Sequence, residues 1–334
     1  MIEVLEPGLL STIQDLGRTG YQKYGVVVSG AMDIFAHRTA NLLVGNPEHA
    51  PTLELTLTGP TLRFTQSSLI AVTGGGMLPV IENEVLPLWR PIAVKAGTVL
   101  DFRPNVEGYR ACLAIAGGFS VPKVMGSAST HLRTALGGFE GRFLQRGDEL
   151  PVGPPSPASE RRLRMLNQLA TGELQRQPFV TAPWFANFSI LPYHRRSVLH
   201  VLHGPEFDHF TQASQKDLFA RTFTISAQSD RMGSRLSGPP LLLERKTDMI
   251  SEAVSKGTIQ VPPNGNPIIL AADCQTTGGY PRIAHVISAD IPLLAQMRPG
   301  EQIRFQPVSL EQAHTRLRKL EQDLLQLRLA LRFN

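Results

Sequence analysis

At 334 residues the chain is too long for one small core and suits two domains of ordinary size. Hydrophobic residues at 42% and charged residues at 18% give a globular balance that excludes long disorder, and no apolar run reaches the length of a membrane span. The net charge of +5 gathers in two stretches, Arg161, Arg162, Arg164 and Arg176, then Arg316, Arg318, Lys319, Arg328 and Arg332; both also carry acids and read as solvated helix faces, without the interleaved aromatics of a nucleic-acid binder.

In chain order, Met1 to Pro7 lacks the basic and apolar regions of a signal peptide, so a soluble cytoplasmic protein is expected. Residues 1–152 read as short strands between glycine turns and form the first domain. Ile2 to Leu5 alternates apolar with acidic residues, and Leu53 to Leu57 alternates leucine with Glu and Thr, the pattern of a half-buried strand. Leu62 to Phe64, Leu69 to Val72 and Val99 to Phe102 read similarly. A helix is predicted over Ala31–Val44, capped by Asp33 and stopped by Gly45-Asn46-Pro47.

Pro151 to Pro157 breaks the composition and opens a linker over 153–196, with a short helix at Ser159–Leu174 and an irregular stretch from Trp184 to Arg196. Strands return over 197–308 at Val198–Leu202, Phe223–Ser226, Thr258–Val261, Ile268–Ala272 and Ile283–Ile287, with a helical run from Phe207 to Phe219. In the tail, 309–334, Leu310, Ala313, Leu317, Leu320, Leu324 and Leu327 recur at helical spacing and predict an amphipathic helix, packed on its own body or on a partner. Cys112 and Cys274 adjoin apolar runs and read as buried thiols. The chain as a whole reads as mainly β with a few helices.

The common catalytic signatures are absent: no Walker A loop, no His-Glu-x-x-His, no Gly-x-Ser-x-Gly and no Cys-x-x-Cys. His200, His203 and His209 invite a metal reading, but on a strand His200 and His203 face opposite ways, and no metal is expected. What stands out is polar side chains set among glycines. Thr12 to Gly20 places Gln14, Asp15 and Arg18 on a tight loop, where an arginine can fork onto a carboxylate or phosphate, or pair with Asp15 to hold a turn. Ser226 to Gly238 offers Asp230, Arg231 and Arg235 in the same style, a faint echo that suggests two related domains. Gln275 to Tyr280 offers hydroxyls and a glycine pair, either a seat for an anion or a plain turn.

In order along the chain, Thr12–Arg18, Ser29–Asp33, Ala40–Pro47, Leu53-Glu54 before Gly59-Pro60, Ala116–Phe119, Gly126–Thr130, Gly147-Asp148, Ser229–Leu236, Gly257–Pro262 and Gln275–Pro281 resemble the allophanate hydrolase subunit 2 family. Its members include the C subunit of 5-oxoprolinase, an antagonist of a kinase inhibitor, and biotin-dependent carboxyltransferase-like proteins. Two departures are visible: Ala128 stands where the family has Arg, and Cys112 where an aromatic is common. The resemblance implies two cyclophilin-like β-barrel domains plus the C-terminal amphipathic helix. It implies a subunit, inactive alone, of an ATP-hydrolysing 5-oxoprolinase that works with sister subunits B and A. The reaction phosphorylates the lactam of 5-oxoproline and opens it to L-glutamate, with ATP and magnesium as cofactors. The chain itself carries no biotin attachment site. By motif position, Asp15, Arg18, Asp230 and Arg231 are the candidate catalytic residues. Gln14, Asn41, Arg235, Gln260, Gln275, Thr277, Gly278 and Tyr280 are candidates for binding substrate or nucleotide. Two alternatives stay open: a carboxyltransferase-like component acting on urea or a related amide, and a regulator that sequesters a kinase inhibitor.

Overall fold

The structure is a computed structural model and describes residues 1–170, 172, 176–186, 193, 197–245 and 249–333. Much of the stretch read as irregular, Trp184 to Arg196, and the end of the helix expected to reach Leu174 lie outside those residues. The chain forms two compact units. The first comprises Met1–Gly17, Asp33–Ile190 and Asp323–Asn334; the second comprises Arg18–Met32 and Leu191–Gln322.

The first unit runs β1 (Ile2–Glu6), β2 (Leu10–Gln14), α1 (Ile34–Val44), β3 (Thr52–Thr56), β4 (Thr61–Phe64), β5 (Ser68–Gly74), β6 (Met77–Ile81), β7 (Glu84–Val85), β8 (Ile92–Val94), β9 (Val99–Pro104), β10 (Arg110–Ile115), β11 (Glu149–Leu150), α2 (Pro157–Leu169) and β12 (Phe179–Thr181). The strands make two six-stranded sheets, ordered β11-β1-β4-β9-β6-β7 and β12-β8-β5-β10-β3-β2. One apolar core draws on both, with Ile2, Val4, Leu62 and Phe64 from the first sheet and Leu53, Leu55, Ile70, Val72 and Leu113 from the second. Burial of this kind stabilises by about 25 cal/mol per Å² of apolar surface.

α1 starts as predicted, with the Asp33 carboxylate accepting the Ala36 N–H at 2.9 Å, and stops at Gly45 in the left-handed region. It lies on β5 and β10 of the second sheet. β3, read as half-buried, is buried at every position. Leu53 and Leu55 join the core between the sheets, while Thr52, Glu54 and Thr56 face the other way and are covered as well.

The second unit runs β13 (Val198–His203), α3 (Gln212–Ala220), β14 (Phe223–Ile225), β15 (Gly233–Ser237), β16 (Glu252–Ala253), β17 (Thr258–Gln260), β18 (Ile268–Leu270), β19 (Thr277–Gly278), β20 (Arg282–Val286), α4 (Ile291–Ala295) and β21 (Gln302–Pro307). Seven strands close a barrel in the order β13-β20-β17-β18-β15-β14-β21. All neighbouring pairs are antiparallel except β13 and β21. Alternation is clear in β21, where Ile303 and Phe305 are buried between exposed Gln302, Arg304 and Gln306. The run Phe207 to Phe219 is not one helix. A 3-10 turn over Phe207–His209 ends at extended Phe210, and Thr211 caps α3 afresh by accepting the Ser214 N–H at 3.2 Å. The tail is a helix, α5 (Leu310–Phe333). The mainly-β chain with a closed barrel and a C-terminal helix matches the class expected from sequence. Cys112 and Cys274 are both buried thiols, and neither forms a disulfide.

Candidate functional site

In the first unit the site begins where β2 ends. Asp15 follows Gln14 and is 6% exposed. Its carboxylate accepts four hydrogen bonds: Gly17 N–H at 2.8 Å, Ser127 Oγ at 2.7 Å, Ala128 N–H at 2.7 Å and Ser129 Oγ at 2.5 Å. Burial alone would raise its pKa, but the Ser129 and Ser127 hydroxyls, with the Ala128 and Gly17 N–H groups, hold it below the ordinary carboxylate range. The Ser127–Ser129 loop is therefore an anion cradle filled by the chain's own carboxylate. Ala128, the departure from the family pattern, takes part through its backbone, which any side chain leaves available. The loop is tied to β2 through Thr130, whose N–H and hydroxyl donate to the Ile13 carbonyl at 3.0 and 2.9 Å.

Gln14 is fully buried. Its Nε2 donates to Thr12 Oγ1 at 3.0 Å and to the Thr130 carbonyl at 3.1 Å, while its Oε1 has no partner among the described residues. Asn41 lies elsewhere in the unit, on α1. Its Nδ2 donates to the Ala50 carbonyl at 2.8 Å and its Oδ1 accepts from Asn46 at 3.1 Å, so its amide holds the loop after the helix. One turn earlier His37 is fully buried and shares a hydrogen bond with Thr52 Oγ1 at 2.8 Å.

In the second unit Arg18 is 1% exposed, and its backbone N–H donates to the Val28 carbonyl at 2.8 Å. The Arg231 guanidinium forks onto Asp273, with Nε to Oδ2 at 2.8 Å and Nη2 to Oδ1 at 3.1 Å, and also donates to the Gly30 carbonyl at 2.7 Å. Lys256 donates to the next two carbonyls, Ala31 at 3.1 Å and Met32 at 3.0 Å. Two cations thus grip three successive carbonyls of the Ser29–Met32 segment.

Beside Asp273 in the chain, Gln275 donates from Nε2 to Gln260 Oε1 at 3.4 Å, and Gln260 Nε2 donates to the Tyr280 carbonyl at 3.3 Å. A Cβ on Gly278 would lie 2.6 Å from Gln260 Nε2, so the glycine is what lets this carboxamide chain close. Thr277 and Gly278 form β19, paired with β16, which commits this backbone to a two-stranded ladder. Asp230 and Arg235 stand apart from the cluster. The Asp230 carboxylate accepts the Met232 and Gly233 N–H groups at 2.8 and 3.1 Å and shapes the turn, and Arg235 projects outward from β15 between buried Ser234 and Leu236. His200 bonds Asp290 at 2.7 Å.

Sequence reasoning brought Arg231, Gln260, Gln275, Gly278 and Tyr280 into view, and the fold assembles them in one unit. It did not single out Ser127, Ser129, Lys256 or Asp273 for the site. Ser127 and Ser129 lay within a quoted motif, flanked by Gly126, so that signal was present; Asp273 carried none beyond being an acid beside an apolar run. In the second unit, then, Gln275, Gln260 and the Tyr280 carbonyl form one hydrogen-bonded chain, and Arg231 and Asp273 form a buried ion pair.

A family model for the carboxyltransferase domain, subdomain A and B, matches residues 24–307. The chain is 39% identical to the C subunit of Haemophilus influenzae 5-oxoprolinase, covering 98% of each, and 40% identical to that of Escherichia coli, covering 94% of this chain and 93% of the other. Among solved structures it is similar to the Kluyveromyces lactis urea amidolyase, with a TM-score of 0.86 at 31% identity over 98% of this chain, while spanning 20% of that much longer protein. The chain belongs to the carboxyltransferase-domain family, subdomains A and B.

Proposed function

We propose that the chain is the C subunit of an ATP-dependent 5-oxoprolinase, acting in the cytoplasm with sister subunits B and A and inactive alone. The observation that carries this reading is the degree of likeness: the chain is 39% and 40% identical to the 5-oxoprolinase C subunits of Haemophilus influenzae and Escherichia coli, against 33% to the Saccharomyces cerevisiae urea amidolyase. The site supports an amide substrate. The Gln260–Gln275 carboxamides are of the chemical kind that pairs with a lactam, and Arg231, held by Asp273, is the proposed partner of the substrate carboxylate.

A lactam is a stable amide, and ATP with magnesium would supply the phosphoryl group that turns its carbonyl oxygen into a leaving group. Among the anion-holding groups described, the Ser127–Ser129 cradle already holds Asp15, and Arg231 and Lys256 already grip carbonyls. The nucleotide is therefore attributed to the assembled complex, with no phosphate contact assigned to those groups. Arg18, Arg231 and Arg235 are the proposed anion contacts, Arg231 for the substrate carboxylate and not for the nucleotide. Asp15 and Asp230 are proposed to hold the loops that carry them.

The test is co-expression with the sister subunits and measurement of 5-oxoproline-dependent ADP release, each of them omitted in turn. Release that needs all of them is the expected result. A stable complex without turnover on 5-oxoproline would move the assignment to a regulator or to another amide. Arg18→Ala and Arg231→Ala, if folded, should each lose most of the activity. A second reading, a carboxyltransferase-like component acting on urea or a related amide, is favoured by the fold match to the urea amidolyase. It predicts turnover that depends on carboxybiotin supplied by another chain.

A further inference from the structure

The basic stretches read as solvated helix faces contain one arginine that is not solvated. Arg162, on α2, is 5% exposed. Its Nη1 donates to the Leu42 and Leu43 carbonyls at 3.0 and 2.5 Å and its Nη2 to the Leu331 carbonyl at 3.2 Å. Its Nε is buried without a partner, and no carboxylate pairs with the guanidinium among the described residues. Carbonyl oxygens satisfy hydrogen bonds but carry no net charge, and a buried cation without a counter-ion is costly.

Arg162 lines a cavity of about 410 Å³ within the first unit, together with His49, Ala158, Arg328 and Arg332. The lining has one acid, Glu48. That carboxylate is already bridged, by Arg38 at 2.6 Å and by Arg328 at 3.2 Å. Glu48 is thus shared between Arg38 and Arg328, which leaves Arg162 and Arg332 of the lining without a paired acid among the described residues. Ala158 adds the first turn of α2, a 13-residue helix whose N-terminal end carries partial positive charge. Burial, reinforced by the like charge of Arg161, pushes the Arg162 pKa down, the direction expected of a cation that lacks an anion.

We propose that this cavity binds a small anion bearing a phosphoryl or carboxylate group, which supplies the counter-charge that Arg162 lacks. The site is separate from the amide-binding cluster and does not depend on the oxoprolinase reading. Both group types suit guanidinium forks and a helix N-terminus.

The full-length chain is titrated calorimetrically with inorganic phosphate and, separately, with malonate, in a dilute chloride buffer. One probe is expected to bind saturably, and the tighter one identifies the group. The Arg328→Gln/Arg332→Gln variant alters exposed side chains and leaves Arg162 in place; it should weaken binding about tenfold or more, as the loss of charge-assisted hydrogen bonds does. Ala158→Glu puts a carboxylate in the first turn of α2, where it suits the helix, and should abolish binding without lowering Tm. If the double variant fails to fold, Ala158→Glu decides alone. No saturable binding of either probe, or affinity within about twofold of the native chain in every folded variant, overturns the proposal.

Discussion

His37, on α1, is fully buried, and burial pushes its pKa down from 6.5 to about 4; the charge of Asp15 pulls it upward and is the smaller effect. The ring is neutral in the fold at pH 7, but in the unfolded chain it takes a proton near 6.5. Between those two values the unfolded state binds more protons, so stability falls as pH drops through that window and levels off below about 4. The gap corresponds to roughly 3 kcal/mol at its acid end. Asp15 shifts in the same direction: its contribution is present above the ordinary carboxylate pKa and is lost as pH falls through its lowered one, at the acid side of the His37 window. Urea midpoints at neutral pH and near pH 4.5 should therefore fall in the native chain and change much less in His37→Gln; equal slopes would refute the assignment. Arg231 and Asp273 form the second residue-scale test. Arg231→Met strands a buried carboxylate and should cost about 3–5 kcal/mol. Arg231→Met with Asp273→Leu should recover much of that stability yet stay inactive in the complex, which separates the fold's need for the pair from the proposed anion contact. Asp15 and Arg231 were legible from the glycine-flanked motifs around them. Their partners were not, because Ser127, Ser129 and Asp273 reach them only through long-range packing that no local pattern encodes.

The C-terminal end of α1 leaves carbonyls without helical partners, and α2 provides donors for them. Ser156 Oγ donates to Gly45 at 2.8 Å, Ser159 Oγ to Val44 at 2.6 Å, and Arg162 to Leu42 and Leu43 at 3.0 and 2.5 Å. Ser156 also caps its own helix by accepting the Ser159 N–H at 3.1 Å. Ser156→Ala removes both roles and should cost about 1–2 kcal/mol. Ser156→Asp keeps the cap but sets a carboxylate against the Gly45 carbonyl, so thermal unfolding should place it between the native chain and the alanine variant; an alanine variant as stable as native would contradict this account. The helices were legible where their signals are local, as with Asp33 and Gly45 around α1. Thr211 is an equally local cap signal that the hydrophobic spacing from Phe207 to Phe219 obscured. For β3 the period of two gave the correct faces, but periodicity cannot say that the second one is covered as well. Strands of two residues such as β7, β11, β16 and β19 hold too few positions for any period to show.

The composition break at Pro151–Pro157 marks a change along the chain, but the units are not serial, since Arg18–Met32 belongs to the second unit and Asp323–Asn334 to the first. No compositional signal marks an exchanged segment, because its evidence lies in what it touches. Arg18–Met32 offers the Gly30 carbonyl to Arg231 and the Ala31 and Met32 carbonyls to Lys256, and the Met32 side chain packs with Ala271, Ala272 and Ala295. A fragment spanning Leu191–Gln322 alone would leave buried Arg231 and half-buried Lys256 short of these acceptors and expose that apolar cluster. It should unfold at lower temperature and with less cooperativity than the same unit in the full chain. A synthetic peptide covering Arg18–Met32, added to the fragment, binds only the folded form, so its Tm should rise with peptide concentration. The Met32→Ala peptide, which keeps the carbonyls but loses the packing, should raise Tm less. A fragment that melts as the full chain does and ignores the peptide would mean that the barrel is complete without this segment, and that Arg231 and Lys256 find other acceptors when it is gone.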